Sequence, residues 1–208
     1  MKFRDVYIEK ESFKTLIASA IEVYSKETNG VLLGWSATRE IDGVKRRVVS
    51  IKDVYPIQTE ERKRSEVTHG NIAAFDRFLS VMKSLRTDMV GGFHSHPYPY
   101  EGTFLSRGDI DFIRDEVKIM SKKGQKRVEK GWLEILISVK KREYKSTTRS
   151  RWYTSCYIKK VRCRIRTQKK VGYDVVVSAY WVYPKGMEKD KIKYGVKEVV
   201  VYVPWIEE

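Results

Sequence analysis

The spacing of hydrophobic and polar positions divides the chain into helices and strands. Apolar residues three and four apart predict helices over about 12–24, with Ser12 as N-cap, over 68–86 and over 106–120. Apolar runs and alternation predict strands over 3–8, 31–35, 44–55, 89–96 and 132–139. Asp42-Gly43 is a hairpin signal between the second and third of these strands. The pattern therefore predicts a sheet that opens with two antiparallel strands.

Beyond about residue 140 the pattern is rich in strands. Alternating stretches cover 152–166, 173–183 and 196–203, separated by Gly172 and by the segment 184–195. We divide the chain into a core, 1–140, and a β-rich extension, 141–208. The alternative is that both parts form one domain. The extension has three candidate roles: completing the sheet, forming a second small β unit, or providing a surface for substrate or for a homodimer.

Composition narrows the class of protein. A chain of 208 residues can bury a core without covalent staples, and Cys156 and Cys163 are too few for a disulfide scaffold. The chain shows neither the apolar core of a signal peptide nor a run of about 18 apolar residues typical of a membrane span. We therefore expect a cytoplasmic protein that does not enter membranes.

The net charge of +15 indicates which kinds of partner the protein attracts. Such an excess attracts polyanions, which include nucleic acid, an anionic membrane surface and an acidic protein. A solvated, lysine-rich surface of the kind common in heat-adapted proteins explains the charge equally well. Aromatic residues beside bases, as at Trp152 and Tyr157, suit stacking on single-stranded nucleic acid, but they suit a half-buried sheet too.

The chemistry is concentrated around the His94-Ser95-His96 motif. Side chains alternate along a strand, so His94 and His96 project from one face and can share a metal ion. A catalytic zinc site typically has three protein ligands. Asp109, in the first turn of the predicted helix after the motif, is the leading candidate for the third ligand, and Asp111 is a weaker one because it lies about 200° around the helix.

Each feature also has a structural explanation. A His-x-His pair is often a partly exposed pair without ligands, and Ser106 with Asp109 forms a capping box typical of a helix start. Glu27, from its position alone, reads as a solvated glutamate at a helix end, and we assign no role to His69. The concentration of these residues in one short region favours a site.

The order of these residues resembles the signature of the JAMM (MPN+) metalloproteases, also called JAB domains. Glu27 stands just ahead of the glycine-bounded apolar strand 30–34, and the His-x-His-Pro and Ser-x-x-Asp motifs follow downstream. The resemblance covers roughly residues 3–140. It implies an α/β fold with a curved mixed sheet flanked by helices, a cytidine-deaminase-like core, and hydrolysis of peptide or isopeptide bonds, often those that join ubiquitin-like proteins to lysine.

The resemblance also implies a role for each site residue. His94, His96 and Asp109 would bind Zn²⁺. Glu27 would deprotonate a zinc-bound water and protonate the departing amine, and Ser106 would donate a hydrogen bond to the oxyanion.

The chain departs from the family pattern at one point. The spacing from His96 to Asp109 is two residues longer than usual, and the position at the usual spacing is Arg107, which cannot bind a cation. A longer loop over 98–105 explains the shift. Its bulky Tyr98, Tyr100 and Phe104 indicate that it forms part of a substrate groove.

Two classes of function follow. The first is a zinc peptidase or isopeptidase whose basic surface recruits an acidic ubiquitin-like substrate. The second is a JAMM-fold scaffold or nucleic-acid-binding module without hydrolytic activity. The presence of all five site residues favours the enzyme, because inactive relatives typically lack some of them. Hydrolysis of a small-molecule amide or thiocarboxylate stays open as a third class.

Overall fold

A computed structural model describes residues 3–57, 72–85, 87–97, 104–122, 128, 130–143, 151–155, 159–166, 170–188 and 191–206. The helices in this part of the chain are α1 (Lys10–Glu22), α2 (Ile72–Ser84) and α3 (Arg107–Lys122). The strands are β1 (Val6–Ile8), β2 (Asn29–Ile41), β3 (Val44–Pro56), β4 (Met89–Pro97), β5 (Trp132–Glu143), β6 (Arg151–Ser155), β7 (Lys160–Arg166), β8 (Val171–Glu188), β9 (Lys191–Val199) and β10 (Val201–Tyr202). A short 3₁₀ turn, Pro204–Ile206, follows β10.

All ten of these strands belong to one mixed sheet, in the order β10-β1-β3-β2-β4-β5-β8-β7-β6, with β9 paired to β8. The pairs β4–β5, β1–β3 and β1–β10 are parallel, and the other pairs are antiparallel. Helix α3 lies in the crossover between β4 and β5. The prediction of a mixed α/β protein with a sheet and flanking helices is confirmed at this level.

Each face of the sheet has its own apolar core. On one face α1 packs its buried Phe13, Leu16 and Ile17 against strands that include β4 and β5. On the other face α2 and α3 cover a smaller cluster, to which Leu79 and Ile113 contribute. Burial on both faces explains why β5 reads as a nearly continuous apolar run rather than an alternating one.

The hairpin between β2 and β3 confirms its sequence signal. Asp42 and Gly43 have φ angles of 51° and 71°, the left-handed values that a tight two-residue hairpin turn requires at both positions. Strand β2 is longer than predicted and begins at Asn29, two residues after the candidate base Glu27.

Three local predictions are wrong. Helix α1 begins at Lys10 with Glu9 as N-cap, and Ser12 lies inside the helix, where its hydroxyl donates to the carbonyl of Lys52 at 2.6 Å. The stretch 152–166 is two antiparallel strands, β6 and β7, instead of one. The segment 184–195 does not separate strands, because the β8–β9 hairpin runs through most of it, with a register shift at Pro184.

The sheet is continuous across the predicted domain boundary. Strand β5 pairs with β8 over twelve successive residue pairs, from Trp132–Val182 to Glu143–Val171. The division at residue 140 stays a prediction. Among the described residues, no helix combines the length and apolar character needed to span a bilayer.

Candidate metal centre

Strand β4 carries two histidines on the face that α3 covers. The Nε2 atoms of His94 and His96 lie 3.1 Å apart, and the two side chains share a face because they are two residues apart in a strand. Ser95 points the other way and is buried. Its hydroxyl accepts a hydrogen bond from the Thr28 N–H at 3.0 Å, and its own N–H donates to the Thr28 carbonyl at 2.9 Å.

Asp109 comes to these histidines from the first turn of α3. Its Oδ1 lies 3.6 Å from His94 Nε2, and its Oδ2 lies 3.5 Å from His96 Nε2. Ser106 precedes the helix and forms a capping box with Asp109: the Ser106 N–H donates to Oδ2 at 2.6 Å, and Asp109 N–H donates to the Ser106 hydroxyl at 3.1 Å. The cap therefore holds the carboxylate at the carboxyl end of β4.

The donor set fits a metal ion such as zinc. Zinc bonds of 2.0–2.1 Å in tetrahedral geometry place ligand atoms about 3.3 Å apart, which is close to the 3.1, 3.5 and 3.6 Å found here. The side chains of His94, His96 and Asp109 are 13%, 10% and 17% exposed, so solvent reaches the cluster. Among the described residues these three form the one group of at least three His, Cys, Asp or Glu side chains close enough to hold an ion.

A further carboxylate, Glu134 of β5, was not recognised from the sequence. Its Oε1 lies 2.6 Å from Nδ1 of His94, and its Oε2 accepts a hydrogen bond from the indole N–H of Trp132 at 2.5 Å. Glu134 is only 3% exposed. The available signal was an acid inside the apolar run of β5, since a buried acid requires a polar partner.

The carboxylates set the charge of His94. Burial alone would lower the pKa of His94, but hydrogen bonds with Asp109 and Glu134 outweigh burial and raise this pKa to about 10. Burial raises the pKa of Asp109, and the hydrogen bonds from His94 and His96 more than offset it, so this pKa lies well below its usual range. Two carboxylates thus face one imidazole, an arrangement that also favours a bound cation in place of the proton.

Glu27 lies next to this cluster. Burial raises the pKa of its carboxyl group, attraction to His94 and His96 opposes the rise, and repulsion from Asp109 adds to it. Two hydrogen bonds between Thr28 and Ser95, one to the Ser95 hydroxyl and one between backbone groups, fix the preceding chain against β4. Glu27 is partly buried and lies two residues before Asn29, which pairs with His94, so the chain places it beside β4 rather than at a solvated helix end.

The other residues that the sequence analysis considered lie away from the three-residue cluster or outside the described residues. Asp111 is half-exposed and its carboxylate contacts Arg114 Nη1 at 2.9 Å, so it does not join the three candidate ligands. Phe104 is 64% exposed, and its ring lies 4.1 Å from the Lys160 ammonium. His69, Tyr98 and Tyr100 lie outside the described residues.

Comparison with known proteins supports the fold alone. No protein-family model matches the chain, and no curated protein matches it. The solution structure of protein DSY2949 from Desulfitobacterium hafniense is similar, with a TM-score of 0.50 and 16% sequence identity over 95% of this chain and 91% of that one. At this identity the likeness concerns the backbone architecture, and function has to be argued from the site.

Proposed function

We propose that the protein is a zinc-dependent hydrolase of peptide or isopeptide bonds, of the JAMM (MPN+) type, acting on ubiquitin-like modifiers attached to lysine. One observation carries the proposal: two imidazole nitrogens and a carboxylate oxygen converge within 4.8 Å at the carboxyl end of β4. A second carboxylate, Glu27, is coupled electrostatically to the same three groups. Three ligands beside a separate carboxylate are the requirements of a metal-assisted hydrolase.

The roles divide between the ligands and Glu27. When bound, zinc would polarise the scissile carbonyl and lower the pKa of a bound water toward about 7. Glu27 would accept a proton from the attacking water and return it to the departing amine. Its raised pKa suits both transfers, because a carboxyl group less acidic than usual holds the proton between the two steps.

The Ser106 hydroxyl can donate a hydrogen bond to the substrate. Its hydroxyl oxygen accepts the Asp109 N–H, which uses an acceptor position and leaves the O–H as a donor. The residue is exposed, so this donor can reach a developing oxyanion near Asp109. Ser106 would therefore cap α3 and donate to the substrate at the same time.

The experiment measures metal content and cleavage together. Purified protein should hold one zinc per chain and should cleave a lysine-linked conjugate of a ubiquitin-like protein. Glu27→Gln should keep the zinc, because Glu27 is not among the ligands, and should lose about 10²- to 10⁴-fold in cleavage rate, as expected for a general acid–base group.

Glu22→Gln is the matched control, because Glu22 is an exposed glutamate at the end of α1. This variant should cleave the conjugate at the same rate as the original chain. Absence of stoichiometric zinc would reject the proposal. So would an unchanged cleavage rate in Glu27→Gln.

A further inference from the structure

The sheet face that carries the metal centre continues across β5, β8 and β7. Directly paired residues on neighbouring strands share a face. His96 pairs with Ser138, Ser138 with Val176, and Val176 with Arg162. This row therefore leads from a candidate zinc ligand to an arginine on the same surface.

The next two rows on this face are more basic. One row runs from Lys140 through Asp174 to Arg164. The other runs from Arg142 through Gly172 to Arg166. The five cationic side chains of the three rows form what we call the basic platform: Lys140, Arg142, Arg162, Arg164 and Arg166.

The opposite face of the same strands is apolar. Val139, Val175 and Cys163 pair in sequence across it and are buried in the core beneath α1. The cations are thus not scattered over the surface but occupy every second position of β7 on the side of the metal centre. Arg142 and Arg164 are 46% and 44% exposed, so ligands can reach them.

The platform already binds one carboxylate of the chain. Asp174 Oδ1 lies 2.8 Å from Arg164 Nε, and its Oδ2 contacts Arg142 Nε. In addition, Nε of Arg162 is buried and has no hydrogen-bond partner among the described residues. Two arginines of the platform therefore already bind a carboxylate group, which is the chemistry expected of a surface that binds acidic side chains.

We propose that the basic platform binds an acidic polypeptide segment of the substrate and leads it to the metal centre. The proposal rests on the proposed function. Neighbouring strands lie about 4.8 Å apart, so Arg162 is roughly 14 Å from His96. An extended chain spans this distance with about four residues. Acidic residues should therefore begin about four positions from the bond that is cut.

A polypeptide explains the platform better than a nucleic acid does. The arginines bind a carboxylate in the structure, and the neighbouring site has the groups needed to hydrolyse an amide. A nucleic acid supplies phosphates but no amide bond for that site.

Binding is tested in a Glu27→Gln background, so that the probe is not cut. The probe is a fluorescein-labelled peptide of 12 residues with four glutamates, measured by fluorescence anisotropy beside the same peptide with glutamines. Arg142→Gln/Arg162→Gln should weaken binding of the acidic peptide by about tenfold. Asp174→Asn should tighten it, because the change removes the competing carboxylate.

The matched control is Lys45→Gln/Arg47→Gln, which removes two exposed cations from the β2–β3 hairpin and should leave binding unchanged. An equal loss in the control and the platform variant would overturn the proposal in favour of general charge attraction. A platform variant that loses binding of a single-stranded oligonucleotide but keeps the acidic peptide would also overturn it.

Zinc content and cleavage in the original chain separate this proposal from the proposed function. If the platform variants change acidic-peptide binding as expected, the platform is supported as a peptide-binding surface, even if the protein holds no zinc and cleaves nothing. If the original chain cleaves the conjugate but the platform variants bind the acidic peptide as well as it does, the platform proposal is rejected and the proposed function stands.

Discussion

At His94 the two ring nitrogens have different partners. Nε2 faces His96 and Asp109, whereas Nδ1 lies 2.6 Å from the buried Glu134 carboxylate. A proton on Nδ1, held by Glu134, leaves the lone pair on Nε2 directed at the metal position. Trp132 fixes Glu134 in turn through its indole N–H. Residues behind the ligands thus determine the orientation of the imidazole.

Glu134→Gln is expected to lower zinc affinity by about 10- to 100-fold, because the amide carries no charge to hold the Nδ1 proton. Competition with a chromophoric chelator measures the affinity directly and does not depend on activity. Glu143→Gln, on the same strand but exposed at its end, is the control. Equal zinc affinities for Glu134→Gln and the original chain would contradict a role for Glu134 in the centre.

The sequence predicted the candidate ligands but not the residues that support them. His94, His96 and Asp109 were predicted because strand alternation and a local capping box bring them together over short distances. Glu134 lies 40 residues from His94, and its contact depends on the parallel register of β4 and β5. Such a register follows from tertiary packing, which no local pattern encodes.

At the scale of elements, β4 depends on glycine where it meets β5. A Cβ atom built on Gly91 would overlap the carbonyl group of Leu133 in β5, a backbone neighbour that cannot rotate away. Gly91 therefore permits the close parallel pairing that brings His94 beside Glu134.

Gly91→Ala is expected to lower the free energy of unfolding by about 2 kcal/mol or more, because the strands must separate to fit the methyl group. Urea denaturation measures this change. Gly186→Ala is the matched control, since a Cβ atom there meets nothing within 4 Å. Similar losses in both variants would show that the close approach of β4 and β5 is not needed for stability.

Helix α1 shows why element boundaries were harder to predict than element types. Ser12 was predicted as the cap, but its hydroxyl bonds to Lys52, 40 residues away. Glu9 precedes the helix, and its carboxylate contacts Arg39 and Lys52 at 2.5 and 2.6 Å. The helix therefore begins where tertiary ion pairs hold the chain. Its apolar stripe, in contrast, was predicted correctly because it depends only on local spacing.

At the scale of the molecule, the β-rich extension covers the edge of β5. Removing residues 144–208 would expose the whole length of β5 that pairs with β8 and would remove Val175, Val177 and Ala179 from the core. A fragment of residues 1–143 is therefore expected not to fold. Near-ultraviolet circular dichroism and urea titration test this expectation. A cooperative unfolding transition of the fragment would support the division at residue 140.

The position of β10 late in the sequence determines how long β1 stays unpaired during synthesis. Val6 pairs with Val201, and the Asp5 carboxylate accepts the N–H of Val200, a contact that spans 195 residues. A ribosome adds about 5 to 20 residues per second, so this edge of β1 waits roughly 10 to 40 s for its partner. Throughout that interval the nascent chain presents an open strand edge to other chains. Cells that make this protein at high concentration should therefore depend on chaperones to keep it from aggregating until β10 emerges.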